Sequence, residues 1–405
     1  MAAEFKMYSK LSNVILASIV SLVAILAIGI YDFALPIFTE SESGSFGIVG
    51  IIVSLVYIAS FLAEIPVGLA TDKFGRIKVM ITALAVIAFF AIIYFFTTSI
   101  FQLAILSLLF GVVAVAFWVP STVLVRDFSP KKITSQAQGV YLSITQIGWI
   151  LAPVIAGFVA LTFSDRHNFL VVAGFALLAM VFTLILFRRK ETKHSRKPIK
   201  PRITLLYDSF KRYKNMHKHA ISLYSLTAIV YLWIAVQWTF VPLISITRFG
   251  FNEIGAGMLL GAMSAIEGAM FFSSSYLMDK IGKKYIVTSG FILLFTAMYF
   301  TFLAHNPLVY VFSLLVAAGS ISWILPGTEA LLTEIAPTNI LGEMSAVFDT
   351  AKDIGLMAGP IVAGVLIEIF VPQTPFLLIA VAAGSGAIIS GLLFWPDRRK
   401  THHLR

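Results

Sequence analysis

Twelve apolar runs of helix length follow one another along this chain, at about 12–36, 46–70, 78–98, 101–126, 134–160, 168–188, 218–246, 253–278, 285–304, 308–332, 339–370 and 376–396. A helix crosses a bilayer with about 20 consecutive apolar residues. In hydrocarbon every backbone N–H and C=O needs an internal partner, so only helices and closed barrels can span. Runs this long and this continuous are helical, and the expected fold class is an all-α membrane protein of twelve transmembrane helices. Charged residues make up only 12% of the 405 residues, about half the share of a soluble domain. The first run, Val14 to Pro36, is too long for the h-region of a signal peptide.

Several chemistries fall away. The chain contains no cysteine, which removes disulfides, thiolate metal sites and cysteine nucleophiles. The histidines at 167, 194, 217, 219, 305, 402 and 403 sit in expected loops, near helix ends or in the tail, so no metal site is expected. No Gly-rich Lys-Ser/Thr loop and no hydrolytic constellation is present. The chain is therefore not expected to be an enzyme, to be driven directly by ATP or to need a cofactor.

Charge placement sets the topology. With both termini inside, 27 of the 30 Lys and Arg lie on cytoplasmic segments, Arg166 and Arg248 lie outside, and Lys352 lies within a helix. That is the positive-inside distribution. The net charge of +10 is accordingly a topology signal, and no nucleic-acid partner is assigned to it. Between Phe187 and Lys218 stand twelve Lys or Arg against two acids, Glu191 and Asp208. Within this stretch Ile203, Leu206, Tyr207 and Phe210 recur at helical spacing beside Lys211, Arg212 and Lys214. An amphipathic helix on the anionic inner leaflet is expected there, with a disordered basic linker as the alternative. The organisation is then 1–188 for a first six-helix bundle, 189–217 for the linker and 218–405 for a second bundle with a short basic tail.

The two halves repeat. Asp72 and Asp279, Lys73 and Lys280, Gly75 and Gly282, Arg76 and Lys283, Pro130 and Pro337, Gly148 and Gly355, Pro153 and Pro360, and Gly157 and Gly364 are each separated by 207 positions. Internal repeats are typical of secondary transporters, whose substrate sites lie at the repeat interface near the midplane. The stretch Gly68-x-x-x-Asp72-Lys73-x-Gly75-Arg76 resembles the loop signature between helices 2 and 3 of the major facilitator superfamily. Its second copy is degenerate, with Ser275 in place of the first Gly. Gly139, Gly148, Ala152-Pro153 and Ala156-Gly157 resemble the proline-and-glycine motif in helix 5 of that superfamily's antiporters, echoed in helix 11 by Gly355, Gly359-Pro360 and Gly364.

The resemblance covers essentially the whole chain and implies two pseudo-symmetric bundles that rock around a central site. It places Asp127 of helix 4 against Arg76 and Asp72, a cytoplasmic charge cluster repeated as Asp279, Lys283 and Glu334. Such a cluster can latch a gate; a static topology anchor is the other use. Small residues let helices approach closely, and proline bends them where neighbours satisfy the freed carbonyl. The family associates the helix 5 motif with export. Two features depart from its drug–proton antiporters: Ser107 stands where an Arg four residues before Gly111 is frequent, and Ala27 where an Asp nine residues before Pro36 is frequent.

Ionisable residues within spans are costly and therefore candidate functional groups. Asp349, Lys352 and Asp353 share one face of helix 11 by their i,i+3 and i,i+4 spacing. They lie about 15 Å into the helix. One acid can pair with Lys352. The other is left over in a setting where desolvation favours the protonated form that proton coupling uses. Binding of an anionic substrate by Lys352, or a closed ion pair, are the alternatives. Glu267 in helix 8 is a second candidate for protonation or cation binding, and Asp32 in the outer half of helix 1 a third. Glu64 is assigned to the gate, Arg126 can reach the cytoplasmic surface, and Glu329 is only partly deep. Trp118, Trp233, Gln237, Trp238 and Trp323 supply a plausible cavity wall, since aromatics beside acids suit lipophilic or cationic molecules; packing or lipid contact is their other use.

The leading reading is a proton-coupled exporter of small lipophilic or cationic compounds working by alternating access. The alternatives are an uptake symporter for an organic anion and a non-transporting sensor on a transporter scaffold. The expected partners are a small-molecule substrate, protons and anionic inner-leaflet lipid near 188–218. The expected state is a monomer in a prokaryotic cell membrane, crossing it many times.

Overall fold

The computed structural model describes residues 2–129, 134–187, 217–337 and 340–393. Twelve helices are present among them: α1 Ala2–Ser43, α2 Phe46–Phe74, α3 Arg76–Phe96, α4 Ile100–Phe128, α5 Thr134–Thr162, α6 His167–Phe187, α7 His217–Thr247, α8 Glu253–Ile281, α9 Lys283–Leu303, α10 Pro307–Ile335, α11 Leu341–Ile369 and α12 Thr374–Leu393. All twelve are long and apolar enough to cross a membrane, and no strand occurs among the described residues. The expected amphipathic stretch around Ile203, Leu206, Tyr207 and Phe210 lies outside the described residues, as do Pro130 and the tail beyond 393.

Local chemistry explains where helices stop. Gly75 alone separates α2 from α3 with φ at 91°, and Gly282 separates α8 from α9 with φ at 106°. Only glycine adopts such angles without a Cβ clash. Ser45 starts α2 by accepting the Ile48 N–H, and Asn306 starts α10 by accepting that of Leu308. Prolines 36, 66, 120, 153, 242, 326 and 360 lie inside helices without ending them, because packed neighbours and small adjustments re-satisfy the freed carbonyls. Large apolar side chains such as Leu62, Phe96, Ile185 and Phe312 remain exposed, as expected of helices whose outer solvent is lipid.

By their contacts the residues fall into two compact units. The first comprises Met1–Ile199, Ala235–Ala265 and Met357–Pro372; the second comprises Lys200–Ile234, Ile266–Leu356 and Gln373–Arg405. In the first, α1 packs against α4, α5 and α6, α2 against α4, and α3 against α4 and α6. In the second, α9 packs against α10 and α12.

Candidate functional site

The rotation of α1 is set by Tyr31. Its ring is fully buried, stacks on Phe110 at 3.5 Å and meets Tyr94 edge-on at 5.4 Å. The Tyr31 and Tyr94 hydroxyls lie 2.8 Å apart, and that of Tyr94 lies 3.0 Å from Ser107 Oγ. With Tyr31 turned into the bundle, the next residue points about 100° away. That residue is Asp32, and it lines a pocket with Tyr31, Leu35, Val53, Tyr57, Trp238 and Thr239. The pocket lies wholly within the first compact unit. Among the described residues, the Asp32 carboxylate makes no ion pair and no hydrogen bond. Thr239 is buried, and its Oγ1 also has no partner there. Trp238 is braced by Trp149, edge to face at 5.3 Å.

The α11 charges are arranged differently. Lys352 Nζ lies 3.3 Å from Asp349 Oδ1 and donates to Glu329 Oε1 of α10 at 3.2 Å. Its ammonium also sits over the Phe348 and Tyr231 rings, at 4.8 and 5.6 Å. The partner that crosses between helices is thus Glu329. Asp353 is half-buried one turn beyond Asp349. Asp349 and Glu329 are 52% and 60% exposed. Carboxylates so exposed at this depth face water rather than lipid, because hydrocarbon would not tolerate the charge.

Glu267 is half-buried on α8, and its backbone carbonyl accepts from the Ser322 hydroxyl at 3.0 Å. Glu64 is half-buried on α2. Gln237 is buried beside Trp238. Trp118 is exposed on α4. Trp323 is half-buried, with no acceptor for its indole N–H among the described residues. Trp233 is a core residue, fully buried against Phe376. The structure therefore brings Asp32 and Trp238 into one pocket and Asp349 and Lys352 into one cluster. Glu267, Trp118, Gln237 and Trp323 do not line that pocket.

At the basic end of the helices, Arg76 pairs with Asp127, both well buried. The repeat-related pair, Lys283 with Glu334, is 3.5 Å apart and more exposed; Lys283 also donates to the Ala330 carbonyl at 3.4 Å. Asp72 and Asp279 are exposed. Lys73 and Lys280 lie over Phe74 and Tyr276. Gly68 has open space where a Cβ would point.

At the far end, within the first unit, glycines make two matching seams. A Cβ on Gly157 would overlap the Glu253 carbonyl, and one on Gly364 would crowd the Phe46 carbonyl. Opposite them, a Cβ on Gly257 would overlap the Pro153 carbonyl and one on Gly50 that of Pro360. Gly148 abuts Ile25 of α1, and Gly355 abuts Ala228 of α7 within the second unit. Gly359 is buried beside Pro360. Gly50 and Gly257, like Phe46 and Glu253, are 207 positions apart, so the repeat offset would have found these facing positions. One seam carries an added lock: Glu368 Oε2 accepts the Gly47 N–H at 3.1 Å and the Ser45 hydroxyl at 3.2 Å, capping α2 from α11. Nearby, burial together with Glu253 and Glu40 pushes the Asp165 carboxyl up to about 6, and Arg166 pairs with Glu42 at 2.6 Å. Tyr57, Thr239, Glu329 and Glu368 carry no motif, and only their placement marks them.

Comparison with known proteins gives a consistent result. The profile of the Major Facilitator Superfamily matches residues 17–299 and 223–405. Multidrug resistance protein 2 of Bacillus subtilis is 25% identical over 389 residues, 93% of each chain. The multi-drug resistance efflux pump PmrA of Streptococcus pneumoniae is 26% identical over 353 residues, 82% of this chain and 84% of its own. The crystal structure of the nucleoside transporter NupG superposes with a TM-score of 0.78 at 15% identity, over 95% of this chain and 99% of its own. Twelve apolar helices, a 207-residue repeat with a glycine turn and an ion pair in each half, and a profile match along most of the chain agree: this multi-pass membrane protein is a transporter belonging to the Major Facilitator Superfamily.

Proposed function

We infer that the protein exports lipophilic cations in exchange for protons by alternating access, with Asp32 as the carboxylate that cation and proton share. One observation carries this reading: a carboxylate with no ion-pair partner among the described residues lines a pocket walled by Tyr57 and Trp238. Placing an unpaired acid at membrane depth is expensive unless it has a use, and aromatic faces beside it attract cations. Two relatives known as multidrug resistance or efflux proteins support the direction of transport.

The termini are cytoplasmic by the positive-inside distribution. The far-end glycine seams then close the external side, and the Arg76–Asp127 and Lys283–Glu334 pairs belong to the cytoplasmic gate, each in its own six-helix half. A sensor without transport would have no need of a gate pair in both halves. Uptake of an organic anion through Lys352 is disfavoured, because Asp349 and Glu329 already occupy its ammonium.

The test uses everted membrane vesicles, energised with a proton gradient and offered a fluorescent lipophilic cation. Wild type should accumulate the dye, a protonophore should abolish the accumulation, and Asp32→Asn should lose it. Glu267→Gln and Asp353→Asn should retain most of it. Accumulation unaffected in Asp32→Asn would assign the proton and cation elsewhere.

A further inference from the structure

Resting on the cation-exporter reading, we propose that the Asp32 pocket is built for a protonated amine that still carries N–H groups, and that it excludes quaternary ammonium heads.

Two independent observations point there. The first is size. The pocket has a cavity volume of about 10 Å³, about the room one water requires. An –NH₃⁺ head is close to a water in size, whereas three methyl groups on nitrogen do not enter such a space. The second is the set of hydrogen-bonding groups. Besides the Asp32 carboxylate, the lining offers the Tyr57 phenol and the Thr239 hydroxyl. Thr239 is 1% exposed, and its Oγ1 has no partner among the described residues. A buried hydroxyl without a partner is costly and marks a place for a ligand atom. A carboxylate alone attracts any cation. A carboxylate beside two hydroxyl oxygens rewards a head with several N–H donors, since an ammonium offers three. A quaternary head offers none and would leave those oxygens unsatisfied while stripping them of water.

The aromatic wall fits the same assignment. Trp238, held by Trp149, lines the same pocket and offers an aromatic surface to the apolar part of an amine. The ligand class is therefore an amphiphilic amine, its ammonium in the pocket and its apolar body outside it.

The test compares two ligands with one tail, naphthylethylamine and its N,N,N-trimethyl counterpart. Binding to the full chain in nanodiscs is measured by equilibrium dialysis, with empty nanodiscs subtracted. Wild type should bind the primary amine at least about tenfold more tightly. Thr239→Val and Tyr57→Phe should each narrow that ratio by weakening the amine and leaving the trimethyl ligand unchanged, and Thr239→Ser should restore it. Asp32→Asn should lose the primary amine and leave the weak binding of the trimethyl ligand little changed. A ratio near one, or one favouring the trimethyl head, with binding still lost in Asp32→Asn, overturns the head-group assignment and leaves the exporter reading standing. Binding of both ligands unchanged in Asp32→Asn, with melting temperatures equal to wild type, overturns both. Should Asp32→Asn melt early, Thr239→Val decides: an unchanged ratio in that variant overturns the proposal.

Discussion

Asp32 and Lys352 are both ionisable groups inside apolar helices, and their surroundings differ in kind. Lys352 has two carboxylates within 3.3 Å, both half in water, so its pairs are each worth about 1 kcal/mol or less. Removing it leaves two acids facing each other's charge. Lys352→Met should lower the melting temperature modestly, and adding Glu329→Gln should recover part of the loss; equal melting of the single and double variants would show that Glu329 does not feel the lysine. Asp165 makes a separate prediction. Its carboxyl is raised from 3.8 to about 6, so the folded state holds that proton more tightly than the unfolded chain does. Its favourable contribution is complete below about pH 4 and is lost as pH rises through about 6. Asp165→Asn should therefore melt above wild type at pH 7, and the difference should shrink to nothing by about pH 4. A difference independent of pH would assign the effect to packing.

Between helices, the far-end seams depend on backbone approach. Gly50, Gly157, Gly257 and Gly364 each bring one helix against a carbonyl of another, and a single methyl must force those helices apart. The absence of cysteine makes this directly measurable. A Ser54→Cys reporter, placed where Ser54 now donates to the Met357 carbonyl at 2.8 Å, should react slowly with an impermeant maleimide from outside. In a Gly257→Ala background it should react several-fold faster. Glu368→Ala removes two hydrogen bonds to the start of α2, worth about 0.5–1.5 kcal/mol each, and should speed labelling by between about fivefold and about a hundredfold. No change in either background would mean that the seams do not control access.

Across the whole molecule, two copies of one motif have diverged in energy. Arg76 is 4% exposed beside Asp127, whereas Lys283 is 34% exposed beside Glu334. Breaking the buried pair with Arg76→Ala should cost about 3–5 kcal/mol. Lys283→Ala should cost less than about 1 kcal/mol, and thermal melting of both variants checks the order. The spans were legible beforehand because hydrophobicity is a property of each residue: 308–332 became Pro307–Ile335, and 285–304 became Lys283–Leu303. The end of α1 was less so, since Pro36 lies inside a helix that runs on to Ser43, its freed carbonyl being a matter for neighbours. The repeat was legible as a constant offset, and with it the family. What could not be read was rotation. Helices that are apolar on every side carry no stripe to say which face turns inward. Glu329 and Lys352 stand 23 positions apart on different helices, and nothing along the chain announces that they meet. Tyr57 and Thr239 are ordinary span residues until α1, α2 and α7 bring them beside Asp32. Membrane insertion, topology and the repeat follow from the chemistry of single residues and their order along the chain; which polar groups share a pocket is decided by packing, because only packing sets the turn of each helix about its axis.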